Sequence, residues 1–229
     1  MNIVALGDRD PKYLTHREID ATLELLTPQV DAGWVATDQV ATGELEGAAG
    51  VWLFPGTPYR DEDAAVAAIR FCLETGTAFL ATCGGFQYTC IELARRVGVI
   101  RAAHAESGDD SEDLVVVPLS CQLYGERRLV RPVAGTRLVE VCGAEPFEGF
   151  HWCGYGLAER YVERLVAGGI VVSATAADIG VEAIELPQHP FFIATAFQPQ
   201  VGTSETKRVH PLIAAFVEAA IGPRLTIPS

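Results

Sequence analysis

The chain has 229 residues, 49% of them hydrophobic, which is typical of one α/β domain with a complete core. Its formal net charge of −13 argues against nucleic acid or an anionic membrane as a partner, because phosphate groups are bound by clustered Lys and Arg. No apolar run approaches the roughly 18 residues of a membrane helix, and the N-terminus lacks the basic region of a signal peptide. We therefore expect a cytoplasmic protein without a membrane partner.

The first half of the chain alternates between predicted strands and helices. The apolar run 3–6 predicts a buried strand, and a helix with one apolar face follows over 15–26. Further strands are expected at 49–54 and 77–81, each followed by a helix, at 61–75 and 84–97. Thr15 and Asp61 are the expected N-caps, and Gly76 the expected stop. This order predicts a mostly parallel sheet covered on both faces.

The second half has a different pattern. An acidic loop is expected over 105–113, and short antiparallel strands at 114–118, 128–132 and 137–141 predict a small flap. The remaining predicted elements are a helix at 158–167, strands at 170–174, 181–186 and 191–197, and a last helix at 211–221. No repeat or linker divides the chain, so a single domain over 1–229 is expected.

Cys83 stands where an apolar run ends and two glycines begin, in a stretch 79–87 that reads Phe-Leu-Ala-Thr-Cys-Gly-Gly-Phe-Gln. This pattern predicts a strand–nucleophile–helix elbow, which exposes one side chain at a helix N-terminus. The helix dipole there favours a thiolate, and the free backbone N–H groups can hold an oxyanion. The alternative is a buried cysteine that ends a core strand, which the two glycines disfavour.

The six cysteines show no CxxC pair, and without an export signal they are expected to be reduced thiols. His151 and Cys153 lie close together in the sequence but lack a second pair of ligands. We expect neither a metal nor a cofactor.

Five short blocks in order carry a family resemblance; they are 55–57 (Pro-Gly-Thr), 67–70, 82–87, 187–192 (Pro-Gln-His-Pro-Phe-Phe) and 210–212 (His-Pro-Leu). With them the chain resembles the class I glutamine amidotransferase family, and most closely the C-terminal glutaminase domain of CTP synthase. The resemblance implies a flavodoxin-like three-layer fold. Because no synthetase half is recognised, we expect a stand-alone CTP synthase-like protein that cannot make CTP by itself.

The resemblance also identifies catalytic residues of the family that this chain replaces. Where the family has Phe-His-Pro-Glu, with the catalytic His and Glu, this chain reads Phe-Gln-Pro-Gln, with Gln198 and Gln200. An amide cannot accept the thiol proton at neutral pH or orient an imidazolium as a carboxylate does. The substrate-holding Arg of the family aligns with Gly154. We therefore expect ordinary glutaminase activity to be weak or absent.

Other family features are kept. The resemblance carries over backbone donors at Thr57 and Gly84, and the side chains of Gln87 and Tyr155, as substrate-binding or oxyanion groups. Glu106 corresponds to a family Glu that holds the substrate amino group.

If Cys83 is a nucleophile, another residue must replace the family histidine. His104 is preferred, because it shares a loop with Glu106, and His151 is the second candidate. The remaining histidines have structural interpretations: His16 on a solvated helix face, His189 in a turn, and His210 at a helix start.

Three hypotheses for function stay open. We favour a cysteine-dependent hydrolase or transferase that acts on a small-molecule amide or acyl substrate with altered chemistry. The second is a degenerate paralogue that binds a ligand or a synthetase partner protein, and the third is a scaffold without chemistry. The sequence leaves both the substrate and the oligomeric state open.

Overall fold

Ten strands form one sheet in the computed structural model, which describes residues 2–27, 30–40, 42–107 and 112–222. The strands are β1 Asn2–Leu6, β2 Asp31–Val35, β3 Ala48–Leu53, β4 Ala78–Thr82, β5 Ala103–His104, β6 Leu114–Pro132, β7 Phe147–Leu157, β8 Val171–Ala176, β9 Gly180–Glu185 and β10 Phe192–Thr195.

The helices are α1 Leu14–Leu26, α2 Thr42–Glu46, α3 Glu62–Thr75, α4 Gly84–Arg96, α5 Arg137–Cys142, α6 Val162–Ala167, α7 Thr203–Thr206 and α8 Pro211–Ile221. None of the helices in the described part of the chain has both the length and the apolar character that a bilayer span requires.

The centre of the sheet is parallel. Strands β2, β1, β3, β4 and β10 lie side by side in that order, and every neighbouring pair among them is parallel. Strands β9, β8 and β6 extend this sheet with antiparallel pairings. The 19-residue β6 also pairs with β7, and together they form the antiparallel flap. The mostly parallel α/β fold predicted from the sequence is confirmed.

Successive strand residues point to opposite faces, and each face has its own core. Val4 and Leu6 of β1 pack on the face that carries α3 and α4, whereas Ile3 and Ala5 pack on the face with α1 and α8. The sheet is thus the middle of three layers, with the carboxyl ends of β3, β4 and β10 at one edge, where ligands bind in folds of this kind.

Two helix ends match their predicted signals. The Asp61 carboxylate accepts a hydrogen bond from the N–H of Ala64 at 2.8 Å, and Gly76 ends α3 with a φ of +74°. Thr15, in contrast, is not a cap, because α1 starts one residue earlier and its N-cap is Tyr13.

The flap differs from its prediction. The expected strand at 137–141 is helix α5, because Thr136 caps it through the N–H of Val139 and Leu138 packs into the core. Strand β7 was missed because Gly149, Gly154 and Gly156 interrupt its apolar pattern. Strand β2 was also missed, since its residues are only partly buried. Of the acidic loop, residues 105–107 form one 3₁₀ turn, and 108–111 lie outside the described residues.

Candidate active site

Cys83 forms the elbow between β4 and α4. Its φ of +53° and ψ of −108° place a non-glycine residue in a strained backbone region, at a cost of about 1–3 kcal/mol. The two glycines that follow allow close packing: a Cβ on Gly84 would lie 2.6 Å from the Thr57 side chain, and one on Gly85 would lie 2.5 Å from the Leu53 carbonyl oxygen. The predicted elbow geometry is confirmed.

A cleft of about 200 Å³ opens over Cys83. Five other residues predicted for the site line it; these are Thr57, Gln87, Glu106, Tyr155 and Gln198. Gly84 follows Cys83 as the first residue of α4, and its backbone N–H acts to lower the pKa of the Cys83 thiol. A larger cavity of about 700 Å³ beside α8 contains none of the predicted site residues, so size alone does not mark the site.

The cleft has an aromatic rim and no cation. Tyr13, Tyr124 and Trp152 are 47%, 51% and 39% exposed at its mouth. Among the described residues that line it, none is Lys or Arg. A ligand carboxylate would therefore find no bidentate partner here.

The sequence analysis missed Cys153 as a partner of Cys83. Both thiols line the cleft, and the Cys83 sulfur lies 3.8 Å from the carbonyl oxygen of Trp152, the residue before Cys153. The interaction with the Cys153 side chain and burial raise the pKa of Cys83, although the N–H of Gly84 acts in the opposite direction. The expected lowering of the Cys83 pKa by the helix N-terminus is thus outweighed.

The pKa of Cys153 is shifted in the opposite direction to that of Cys83. The interaction with the Cys83 side chain and the positive charge of His151 lower its pKa, against the opposing effect of burial. The charge of His151 therefore favours a negative charge on Cys153.

His151 and Glu182 are fully buried and hydrogen-bonded to each other. The Nε2 of His151 lies 3.1 and 3.0 Å from the two carboxylate oxygens of Glu182. Burial opposes protonation of His151, but the hydrogen bond and charge of Glu182 outweigh it and raise its pKa. The Nδ1 of His151 has no hydrogen-bond partner among the described residues.

His151, Cys153 and Tyr155 alternate along β7, so they share one face of the strand. That alternation is a sequence signal that could have grouped Cys153 with the other two. Nothing in the sequence indicated Glu182, which comes from β9.

His104 does not line the cleft. Its Nδ1 accepts a hydrogen bond from the N–H of Glu106 at 3.1 Å, and its Nε2 donates to the Gln87 side-chain oxygen at 3.0 Å. Gln87 in turn donates to the carbonyl oxygen of Tyr155. Burial lowers the pKa of His104 to about 4. Since both ring nitrogens are occupied, the geometry does not support His104 as the base and gives it a positioning role.

Gln198 and Gln200 are buried and contact each other. The Gln200 amide donates to the Gln198 side-chain oxygen at 2.9 Å, and the remaining amide atom of each has no partner within the described part of the chain. Exchanging O and N in both amides gives the same single hydrogen bond, so neither orientation provides a proton acceptor of useful basicity.

The other histidines have structural contacts. His16 is buried rather than solvated, so that prediction was wrong: it accepts from the N–H of Asp10, donates to the Pro55 carbonyl oxygen, and borders the cleft. His189 donates to the Cys72 carbonyl oxygen at 2.9 Å, and His210 caps α8 just before Pro211. The structural predictions for these last two are confirmed.

The described residues contain no group of three or more His, Cys, Asp or Glu side chains placed to hold a metal ion. All six cysteines are free thiols.

No family model matches the sequence, but individual proteins do. It is 33% identical over 223 residues to CTP synthase from Rubrobacter xylanophilus, and 34% identical over 216 residues to CTP synthase from Thermobifida fusca. These matches cover 88% and 84% of this chain, but only 40% and 39% of the relatives.

Among solved structures, the glutaminase domain of Trypanosoma brucei CTPS with bound acivicin matches with a TM-score of 0.82 at 22% identity, covering 99% of this chain and 96% of that one. A glutamine amidotransferase from Thermotoga maritima matches with a TM-score of 0.60 at 15% identity, covering 95% and 82%. These likenesses establish the same fold. Taken with the matches in sequence, they show that the chain is related to the glutaminase domain of CTP synthase and has the fold of class I glutamine amidotransferases.

Proposed function

We propose that the protein is a Cys83-dependent hydrolase or acyl/amide transferase that acts on a small amide or acyl compound. The observation that carries this proposal is the strained elbow, which presents the Cys83 sulfur to a cleft beside the N–H of Gly84. Backbone strain of this kind is retained mainly where function needs it. The N–H of Gly84 is placed to stabilise an oxyanion, and the Thr57 backbone packs against the same glycine.

The reaction uses Cys153 where the family uses a histidine. Cys83 gives its proton to the Cys153 thiolate and attacks the acyl carbon, which forms a tetrahedral oxyanion. When the bond to the leaving amine or alcohol breaks, Cys153 returns the proton to that group. Water or an acceptor then cleaves the thioester. His151 and Glu182 stabilise the charge on Cys153 and do not touch the substrate.

The proposed substrate is not free glutamine. Among the described residues that line the cleft, none offers a cationic side chain to a carboxylate, and Gly154 stands where the resemblance places the substrate-holding Arg. Gln198 takes the place of the family base. We therefore propose an amide or acyl compound without a free carboxylate.

The test combines labelling with turnover. Purified protein is treated with chloroacetamide and analysed by peptide mass spectrometry, and hydrolysis of small neutral esters and amides is measured in parallel. We expect Cys83 to react before Cys72 and Cys90, and Cys83→Ser to abolish hydrolysis while Cys90→Ser preserves it.

In the same assay, ammonia release from glutamine should lie roughly 10³-fold or more below that of a family member with the His and Glu. Inert Cys83 with unaffected turnover in Cys83→Ser would contradict the proposed nucleophile. Rapid glutamine hydrolysis would contradict the proposed substrate class.

A second candidate is a non-catalytic paralogue that binds a ligand or a synthetase partner. It is favoured by the buried Gln198–Gln200 pair, whose amides bind each other and not a reacting group. This candidate predicts that Cys83→Ser binds a CTP synthase synthetase domain as tightly as the wild type does in calorimetry. The enzyme hypothesis does not require such binding.

A further inference from the structure

We propose that Cys83 and Cys153 form a dithiol that reduces small uncharged disulfides and closes to an internal disulfide bond. This activity goes beyond the proposed acyl chemistry and does not depend on it, because it needs neither an oxyanion site nor a leaving group on carbon.

The first support is the placement of the two sulfurs. Cys83 is the N-cap of α4 and Cys153 lies in β7, yet both line the same cleft, and the Cys83 sulfur lies 3.8 Å from the carbonyl oxygen of Trp152, the residue before Cys153. They are 6% and 8% exposed, so a small molecule in the cleft can reach them while bulk solvent is largely excluded. Two thiols that line one cleft of about 200 Å³ need only a modest approach to form a bond between the sulfurs.

The other cysteines are placed differently. Cys72 and Cys90 are fully buried within α3 and α4, and burial raises the pKa of both thiols. Cys121 and Cys142 are more exposed, but neither lines the cleft. Of the six thiols, Cys83 and Cys153 line the cleft and the other four do not.

The second support is the charge beneath the pair. His151 lies two residues before Cys153 on the same face of β7, and its buried contact with Glu182 raises its pKa and so favours its positively charged form. That charge favours a thiolate on Cys153. Tyr59 and Glu106 are the other ionisable groups that act on Cys83, and Glu106 favours its protonated form.

These positions define a balanced exchange. The Cys153 thiolate attacks one sulfur of the ligand disulfide, the ligand S–S bond breaks, and the first ligand thiolate leaves. Cys83 then loses its proton to that departing thiolate and attacks Cys153, which releases the second ligand thiolate. The ligand disulfide gains two electrons and, with a second proton from water, becomes two thiols. The protein dithiol loses the two electrons, and a thiol reductant restores it.

The lining of the cleft sets the class of disulfide. Lys and Arg are absent from the described residues that line it, and the Glu106 carboxylate borders it, so an anionic disulfide is disfavoured. The rings of Tyr124 and Trp152 at the mouth suit an uncharged, partly apolar ligand. A cleft of about 200 Å³ limits its size.

The experiment uses bis(2-hydroxyethyl) disulfide as the probe on the reduced full chain. We expect the protein to lose two hydrogens in intact mass without keeping an adduct, and digestion to yield one peptide pair that links Cys83 to Cys153. Dithiothreitol should reverse the change. In Cys83→Ser, and separately in Cys153→Ser, the reaction should stop at a mercaptoethanol adduct on the remaining cleft cysteine.

The matched control is Cys121→Ser, which removes a partly exposed cysteine outside the cleft and should form the internal disulfide like the wild type. Oxidised glutathione, which is anionic, should react on the order of tenfold or more slowly, a factor comparable to one pKa unit of the attacking thiol.

Two results would overturn the proposal. One is a wild-type protein that keeps a stable adduct on Cys83 or Cys153. The other is oxidation of Cys121 or Cys142 under conditions that leave the cleft pair reduced. Neither result bears on ester hydrolysis by Cys83, which is measured separately on reduced protein.

Discussion

At the scale of single residues, the proposed reaction gives Cys83 a thiol, that of Cys153, as its proton partner in place of an imidazole. His151 and Glu182 are hydrogen-bonded to each other, and His151 lowers the pKa of Cys153. Under this proposal the path from Cys83 to a carboxylate is one residue longer than in a Cys–His–Glu arrangement.

We expect His104 to hold the Gln87 side chain and the Glu106 backbone in position, and His104→Ala tests this positioning role. Loss of its two buried hydrogen bonds should lower the free energy of unfolding by about 1–3 kcal/mol, since Gln87 and the N–H of Glu106 are left unpaired. Alkylation of Cys83 should change little. Urea unfolding and chloroacetamide kinetics measure the two effects.

His189→Ala is the matched control, because His189 is likewise buried with both ring nitrogens bonded, but lies away from the cleft. A His104→Ala protein of unchanged stability that no longer reacts at Cys83 would restore His104 as the base.

Much of the site followed from the sequence at this scale. The Cys-Gly-Gly pattern placed the elbow, and five further residues predicted from the family resemblance line the cleft. The pairing of Cys83 with Cys153 did not follow, because it depends on how β7 crosses over the start of α4. The choice of His104 as the base stays a prediction that the geometry does not favour, because sequence proximity to Glu106 does not reveal which ring nitrogens are already bonded.

At the scale of elements, the elbow depends on how closely α4 approaches the neighbouring strand. Gly85 allows that approach, because any side chain there would meet the carbonyl oxygen of Leu53 at the end of β3. Backbone atoms of a central strand cannot move aside without disturbing β3 and its pairing with β4.

Gly85→Ala should therefore displace the start of α4. We expect a loss of several kcal/mol in unfolding free energy and slower alkylation of Cys83, by the mechanism of overpacking. The control is Gly33→Ala in β2, where an added Cβ has open space and the backbone does not require glycine. Equal stability of the two variants, measured by urea unfolding, would show that α4 can shift without cost.

The elements themselves were predictable to different degrees. Helix α3 was found with its cap and stop, because Asp61 and Gly76 act locally. The stretch 137–142 was assigned the wrong type, since a short apolar segment fits either a strand or a helix and Thr136 decides between them. The length of β6 was underestimated, because only its pairing with β7 holds its exposed middle in a strand.

At the scale of the whole molecule, several histidines are buried in neutral form. Burial lowers the pKa of His104 and of His210 to about 4, and also lowers the pKa of His16. In the unfolded chain each of them takes up a proton near pH 6.5. Between these values the unfolded state binds more protons, so acid shifts the equilibrium towards unfolding.

The free energy of unfolding should therefore fall as the pH drops from about 6.5 to about 4, with His104 alone contributing on the order of 3 kcal/mol. His151 adds little slope well below pH 6.5, because its raised pKa moves its contribution to higher pH, where stability falls as the pH rises. Urea unfolding at several pH values measures the curve, and His104→Gln should flatten it. A wild-type curve without slope in this range would contradict the assignment of buried neutral histidines.

One wall of the cleft comes from four consecutive residues, 152–155, on a strand that pairs only with β6. The elbow at Cys83, the backbone N–H of Gly84 and the side chain of Gln87 all lie elsewhere in the chain. A randomised library at codons 152, 154 and 155, with Cys153 kept, would therefore change which molecules the protein accepts while both reactive sulfurs stay in place. Binding preference and reactivity are encoded by neighbouring residues of one short segment.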